Sequence, residues 1–81
     1  DTGCSFRTTI SAGFVKDGRG TFCWEISSLS NVNSWNLDKL EINDVDFTNV
    51  YVDSSSLPPK QDGVYYVYYV STVDWGHFEV K

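Results

Sequence analysis

The stretch DGVYYVYYV, residues 62–70, decides the fold class. An Asp-Gly step is a turn signal, and the valine and tyrosine run after it is typical of a β-strand. A half-buried strand alternates apolar and polar residues, yet neither face of this one is polar. One face carries Tyr66 and Tyr68 between two valines. The other carries Tyr65 and Tyr69 around a single valine, and periodicity does not decide which face is buried.

The rest of the chain is a series of short strands separated by turn and loop clusters, with no long helical periodicity. This pattern predicts an all-β fold, a small antiparallel β-sandwich, in a single domain of residues 1–81. The other predicted strands are CSFRTTI (4–10), TFCWEI (21–26), LDKLEIN (37–43), FTNVYV (47–52) and WGHFEVK (75–81). The predicted turns and loops are KDGRG (16–20), SSLSNVNS (27–34), NDVD (43–46) and DSSSLPPKQDG (53–63).

Alternation within these strands predicts which side chains face the core. The inward candidates are Phe6, Ile10, Phe22, Trp24, Ile26, Leu40, Ile42, Val50, Val52, Phe78 and Val80. The same alternation turns Tyr51, Trp75 and His77 outward.

The small size of the domain makes its two cysteines important. A chain of 81 residues buries only about 60–65% of its unfolded surface. Paired, Cys4 and Cys23 would close a loop of about 20 residues and add roughly 3 kcal/mol of stability; two reduced thiols are the alternative. A disulfide suits an oxidising, extracellular setting. The sequence from Asp1 onward lacks the basic and apolar segments of a signal peptide, and no apolar run is long enough to span a membrane. We therefore expect a mature secreted fragment of a larger protein.

The charge of the chain excludes several ligand classes. Its net charge is -5, from 6 basic and 11 acidic residues, and the basic residues are dispersed. Nucleic-acid binding depends on phosphate neutralisation, so no nucleic-acid partner is expected. The same argument disfavours polyanionic glycans and favours a neutral ligand.

The sequence argues against catalysis and against a bound metal or cofactor. His77, the single histidine, has no nucleophile motif near it, and the acidic residues lie in turns or point outward. The NDVD segment, residues 43–46, is rich in oxygen ligands and could hold calcium, but these are also the usual residues of a hairpin turn, which is the preferred interpretation.

Aromatic residues make up 16% of the chain, more than so small a core requires. Exposed tryptophan and tyrosine rings offer flat apolar faces, which suit the C–H faces of sugars. Strands lie about 4.8 Å apart, so outward rings on every second strand would be roughly 10 Å apart, close to the repeat of a β-1,4-linked disaccharide.

Four segments, taken in order, resemble the family 64 carbohydrate-binding modules. They are VNSWNLDKLEIND (32–44), DFTNVYV (46–52), LPPKQDGVYYVYY (57–69) and DWGHFEVK (74–81), with GTFCWE (20–25) a weaker match. The segment around Trp35 and the W-x-H-x-E pattern that starts at Trp75 are the most specific. The family consists of small β-sandwich modules of bacterial cellulases and related proteins. The resemblance implies non-catalytic binding to crystalline cellulose through a linear row of exposed tryptophans.

The resemblance also assigns site residues. Trp24, Trp35 and Trp75 occupy tryptophan positions of the family, and Tyr51 and Tyr65 fall where the family can have tryptophan. For Trp24, local alternation favours the core whereas the resemblance allows the surface. With fewer tryptophans than a fully equipped module, this chain is expected to bind more weakly or to prefer softer glycans. Hydrogen bonds from Asn36, Asn49 or His77 to the glycan would assist binding.

The sequence therefore predicts a secreted module that attaches a parent enzyme or scaffold to insoluble β-glucan, with cellulose the favoured ligand. The alternative is a structural or protein-interaction module of a secreted or cell-surface scaffold protein, because an exposed aromatic patch is also typical of a protein interface. A third possibility is a small secreted inhibitor of a hydrolase, which only the small size of the chain and the disulfide support.

Overall fold

The structure, a computed structural model, describes residues 4–6, 8–48 and 50–81. Asn49, one of the predicted hydrogen-bonding residues, lies outside this range. Within the described residues the chain forms nine strands and one short 3-10 helix, Ser54–Ser56. The strands are β1 (Thr9–Ser11), β2 (Val15–Asp17), β3 (Gly20–Ser28), β4 (Asn31–Trp35), β5 (Lys39–Ile42), β6 (Val45–Asp46), β7 (Tyr51–Asp53), β8 (Tyr65–Ser71) and β9 (His77–Val80).

The strands form two sheets, which confirms the predicted all-β sandwich. The five-stranded sheet has the order β1-β3-β8-β5-β6, and the four-stranded sheet has the order β2-β9-β4-β7. The pairs are antiparallel apart from β1 and β3, which run parallel, a pairing that the sequence did not predict. The described residues contain no helix that is long and apolar enough to cross a membrane.

The tyrosine strand, β8, lies at the centre of the five-stranded sheet, and its two faces have different roles. Val67 and Tyr69 are fully buried, whereas Tyr66 and Tyr68 are half-buried on the outer face. The Tyr69 hydroxyl donates a hydrogen bond at 2.6 Å to the carbonyl oxygen of Gly18, in the turn between β2 and β3, so the polar end of this buried side chain is satisfied. The face that carries Tyr65, Val67 and Tyr69 is therefore the core face.

Trp24 occupies the centre of the core between the two sheets. Its ring stacks on Phe78 of the opposite sheet, with centroids 5.2 Å apart and an interplanar angle of 6°. Phe14 and Tyr69 meet it edge-on at 5.1 and 5.5 Å. Phe22, predicted to face the core, stacks on it at 5.8 Å but is 37% exposed, so it lies at the rim. This aromatic cluster ties the four-stranded sheet to the five-stranded one.

The prediction that residues 27–34 form a loop was wrong, because Asn31–Trp35 is strand β4 in the middle of the four-stranded sheet. Its inward residues are Val32 and Ser34, both buried. The Ser34 hydroxyl donates to the carbonyl oxygen of Val50 at 2.9 Å, which satisfies a polar group at a core position. A serine on the inward face hid the alternation.

Three further expectations need correction. Phe6 is not in a strand and packs on the outer face of the five-stranded sheet, its ring 4.9 Å from that of Tyr66. Val50 is 39% exposed, because β7 begins only at Tyr51. Trp75 lies in a turn that precedes β9, so the turn and not strand alternation exposes it.

The predicted tight connection at residues 43–46 is confirmed. Ile42 pairs with Val45 across the hairpin, and the two residues between them, Asn43 and Asp44, have φ values of 48° and 68°. Positive φ at both central residues is the signature of a type I′ turn, whose twist matches that of the flanking strands. The described residues bring together no group of three His, Cys, Asp or Glu side chains that could hold a metal ion.

Candidate functional site

The outer face of the four-stranded sheet carries the largest exposed aromatic side chains. Trp75, Trp35 and Tyr51 are 61%, 41% and 60% exposed. We call these three residues the aromatic row. Tyr51 is on β7, Trp35 is at the end of β4, and Trp75 is in the turn that leads into β9. The sequence predicted all three as site residues, and the structure brings them together on one face.

Strand register places the three rings along a diagonal. Tyr51 lies directly opposite Asn33, and Trp35 is two residues farther along β4 on the same face. Such diagonal neighbours across an antiparallel pair are about 7–8 Å apart. The rings of Trp35 and Trp75 have centroids 6.3 Å apart and are tilted by 42°. The rings thus come from adjacent strands, rather than from every second strand as expected, and they follow one another obliquely across the sheet.

His77 supports the middle of the row. It lies directly opposite Trp35, and the two rings stack with centroids 4.7 Å apart at 21°. Its Nδ1 lies 2.6 Å from an oxygen of Asp17, and its Nε2 lies 3.4 Å from an oxygen of Glu79. Both ring nitrogens are therefore occupied by carboxylates. His77 thus packs against the Trp35 ring, and the hydrogen bond from His77 to a ligand stays a prediction.

The turn that carries Trp75 packs tightly against the chain next to Trp35. The Ser71 hydroxyl lies 3.1 Å from the carbonyl oxygen of Asn36, and a β-carbon on Gly76 would collide with the Ser71 side chain. This packing brings the turn after β4 and the turn before β9 together. The carbonyl oxygen of Asn36 therefore has a structural role in placing the two tryptophans side by side.

Polar side chains surround the rings. Asn33, half-buried on β4, lies between Tyr51 on β7 and Glu79 on β9. Sequence reasoning missed Asn33 because its segment was assigned to a loop; the alternation of the inward Val32 beside it was the available signal. Asp53 lies at the end of β7, and hydrogen bonds from the hydroxyl and backbone N–H of the following turn hold its pKa below the ordinary value of 3.8. The rim of the row is acidic.

Two predicted site residues are not on this face. Trp24 is only 6% exposed and lies at the centre of the core, so the surface role that the resemblance allowed is wrong and the alternation of its strand was the better guide. Tyr65 is half-buried on the inner side of β8 and packs against the core, because it shares the face of Val67 and Tyr69. Neither ring is presented beside the aromatic row.

The predicted disulfide between Cys4 and Cys23 is present, with Cα atoms 6.1 Å apart. It joins the N-terminal segment to β3, on the outer face of the five-stranded sheet. The disulfide is therefore on the side of the molecule opposite to the aromatic row.

Comparison with known proteins identifies the family. The family model for carbohydrate-binding module 64 matches residues 7–81. A glycine-to-alanine mutant of the Spirochaeta thermophila X module, a CBM64, is 44% identical, with a TM-score of 0.84 over 91% of this chain and 96% of that one. A second structure of Spirochaeta thermophila CBM64 is 38% identical, with a TM-score of 0.82 over 90% and 91% of the two chains. A solution NMR structure of CBM64 from S. thermophila is 44% identical, with a TM-score of 0.79 over 91% and 95%. No curated protein matches. The chain belongs to carbohydrate-binding module family 64.

Proposed function

We propose that the module binds insoluble β-glucan, with cellulose the favoured ligand, by stacking the aromatic row on sugar rings. The observation that carries this proposal is the continuous exposure of Trp75, Trp35 and Tyr51 on one face. Monomeric proteins seldom expose a contiguous apolar patch without a binding role. The module performs no reaction of its own.

The physical basis is the match between aromatic and sugar faces. Each ring of the row presents a broad apolar surface, and the C–H face of a pyranose removes that surface from water without desolvating the sugar hydroxyls. Several rings in a line favour an extended chain over a single sugar. The row runs obliquely from β7 across the end of β4 to the turn before β9, so a ligand longer than one disaccharide is the best fit.

Charge supports a neutral glycan. Asp17 and Glu79 contact His77 beneath the row, and Asp53 lies at its edge. These carboxylates can accept hydrogen bonds from sugar hydroxyls, and Asn33 offers both a donor and an acceptor. The same carboxylates repel uronic acids and sulfated sugars.

The family and the disulfide support an extracellular role as part of a larger protein. We infer that the module is extracellular, because a Cys4–Cys23 bond persists in oxidising compartments. Its role there is to hold a larger protein, an enzyme or a scaffold, at the surface of its polysaccharide.

A depletion assay tests the proposal. Purified protein is mixed with microcrystalline cellulose, chitin and insoluble xylan, and the unbound fraction is measured for wild type, Trp75→Ala and Val45→Ala. Val45 is 40% exposed on the five-stranded sheet, so it controls for loss of exposed apolar surface elsewhere. We expect wild type and Val45→Ala to pellet with cellulose and folded Trp75→Ala to bind at least tenfold more weakly. Equal binding by all three would overturn the proposal.

One observation favours a second candidate, a protein-interaction surface. The rings of Trp35 and Trp75 are tilted by 42°, whereas a flat crystal face is contacted best by coplanar rings. Aromatic side chains with a polar rim are also the composition of protein interfaces. Failure of the wild-type protein to bind any of the three polysaccharides would favour this candidate.

A further inference from the structure

We propose a second binding site on the opposite side of the module, a pocket on the outer face of the five-stranded sheet that takes one or two units of a soluble, neutral saccharide. The pocket has a volume of about 410 Å³. That volume is at the lower end of the range for small-molecule sites, which suits a short sugar rather than a polymer. Its residues are separate from the aromatic row.

The floor of the pocket is the outer face of the tyrosine strand. Tyr66 and Tyr68 project from the same side of β8 and are half-buried. Tyr68 lies between Glu41 on β5 and Cys23 on β3. Phe6 packs on Tyr66, and the Lys39 ammonium lies 5.8 Å from the centroid of the Tyr68 ring, so the parts of the two rings that stay exposed are the apolar surface of the pocket. Beside the Glu41 carboxylate they offer the combination of apolar surface and hydrogen-bond acceptor that a sugar ring needs.

The N-terminal segment forms one wall. The Cys4–Cys23 disulfide ties this segment across the sheet, and the Phe6 ring meets Tyr66 edge-on at 4.9 Å and 61°. Both Cys4 and Phe6 line the pocket. The disulfide therefore shapes a concave surface on a sheet that would otherwise be open to solvent.

The opposite wall is held in place by Asn43. Its amide nitrogen donates to the carbonyl oxygen of Pro59 at 2.8 Å, and its amide oxygen accepts from the backbone N–H of Tyr66, also at 2.8 Å. These two bonds attach the 59–62 loop to β8. At the end of that loop, Asp62 accepts a hydrogen bond from the Tyr66 hydroxyl at 3.3 Å, and burial followed by the Asp62 charge raises the pKa of Tyr66. The wall is preformed.

The polar lining selects the ligand. Glu41, Asp44 and Asp62 line the pocket, and the Lys39 ammonium at its edge pairs with Glu41 and lies 5.8 Å from the centroid of the Tyr68 ring. Among these described groups three carboxylates face one ammonium, which favours sugar hydroxyls as hydrogen-bond donors and disfavours anionic sugars. A bound metal fits poorly, since the described residues bring together no suitable group of three ligands. The Lys39 ammonium contacts Oε2 of Glu41 at 2.9 Å, so the other Glu41 oxygen is the one that can accept a hydrogen bond from a sugar hydroxyl.

Amide NMR titration in solution tests the proposal. The probes are cellobiose and, as the anionic comparison, glucuronic acid. We expect cellobiose to cause saturable shifts at Glu41, Tyr66 and Tyr68 with millimolar affinity, and glucuronic acid to cause none there. Cellobiose shifts confined to Trp35 and Trp75, or no saturable shift at all, would overturn the proposal.

Two variants connect the shifts to the pocket. Tyr68→Ala should weaken cellobiose binding at least tenfold, and Asp62→Asn at least threefold. Asp62 has a φ of 55°, which asparagine tolerates, and it lies in an exposed loop, so this variant should fold. Asp74→Asn, an exposed carboxylate outside the pocket, is the matched control. Unchanged affinity in folded Tyr68→Ala and in Asp62→Asn would contradict the assignment.

The two proposals fail separately. Adsorption to insoluble cellulose reports on the aromatic row, whereas residue-specific shifts with a soluble disaccharide report on the pocket. A module that adsorbs to cellulose but shows no pocket shifts retains the first function and lacks the second.

Discussion

Truncation of the buried Trp24 should destabilise the domain far more than truncation of the exposed Trp75. The Trp24 ring is 6% exposed and has aromatic neighbours on both sheets, with the stacked Phe78 ring 5.2 Å away. Trp→Ala changes at such sites cost about 3–5 kcal/mol, from lost burial and from the cavity left behind. An 81-residue domain has roughly 4–12 kcal/mol of stability in total, at about 0.05–0.15 kcal/mol per residue. Trp24→Ala should therefore remove a quarter or more of it.

Urea unfolding, followed by circular dichroism, measures this effect. With an m-value of about 1.5 kcal/mol/M, a loss of about 3–5 kcal/mol lowers the midpoint by about 2–3 M. Trp75→Ala is the matched comparison: its ring is 61% exposed, so its free energy of unfolding should stay within about 0.5 kcal/mol of wild type. A Trp24→Ala variant that loses less than about 1 kcal/mol would refute the reasoning, because a central core ring must cost more than that.

Three further predictions concern stability and the site. Burial holds the pKa of Tyr69 above its ordinary value of 10.0, so the stability that its neutral form contributes is complete below pH 10 and is lost as pH rises through the raised pKa. Tyr69→Phe should therefore reduce the fall of melting temperature at alkaline pH, and an unchanged pH profile would contradict this. Replacing Cys4 and Cys23 by serine should lower the free energy of unfolding by about 3 kcal/mol in urea, and a change below about 1 kcal/mol would speak against a stabilising crosslink. Gly76→Ala, whose methyl group collides with Ser71, should lower both the melting temperature and cellulose adsorption, whereas wild-type values for both would show that the turn accommodates a side chain.

Much of the fold was predictable because apolar residues mark the core face of several strands. Leu40 with Ile42, and Phe78 with Val80, alternate with polar residues and are all fully buried. Alternation failed in β4, where Ser34 takes an inward position and donates to the backbone carbonyl of Val50, just before β7. No local pattern reveals such a partner.

The site was predictable in its residues but not in its arrangement. Trp35, Trp75 and Tyr51 were identified from the sequence, yet their diagonal order depends on the pairing of β9, β4 and β7. The two faces of the tyrosine strand could not be distinguished either, because both are aromatic. Tertiary contacts determine which face is buried, since the Tyr69 hydroxyl finds a backbone acceptor at Gly18, in the turn between β2 and β3.

Oxidative footprinting of the protein adsorbed on microcrystalline cellulose tests the central claim most directly, because it locates the contact face without any mutation. We expect Trp75, Trp35 and Tyr51 to be protected from hydroxyl radicals relative to the free protein. Tyr68, on the opposite face, should keep its reactivity, and Trp24 should be unreactive in both states. Full reactivity of the aromatic row in adsorbed protein, or protection centred on Tyr68, would contradict the account.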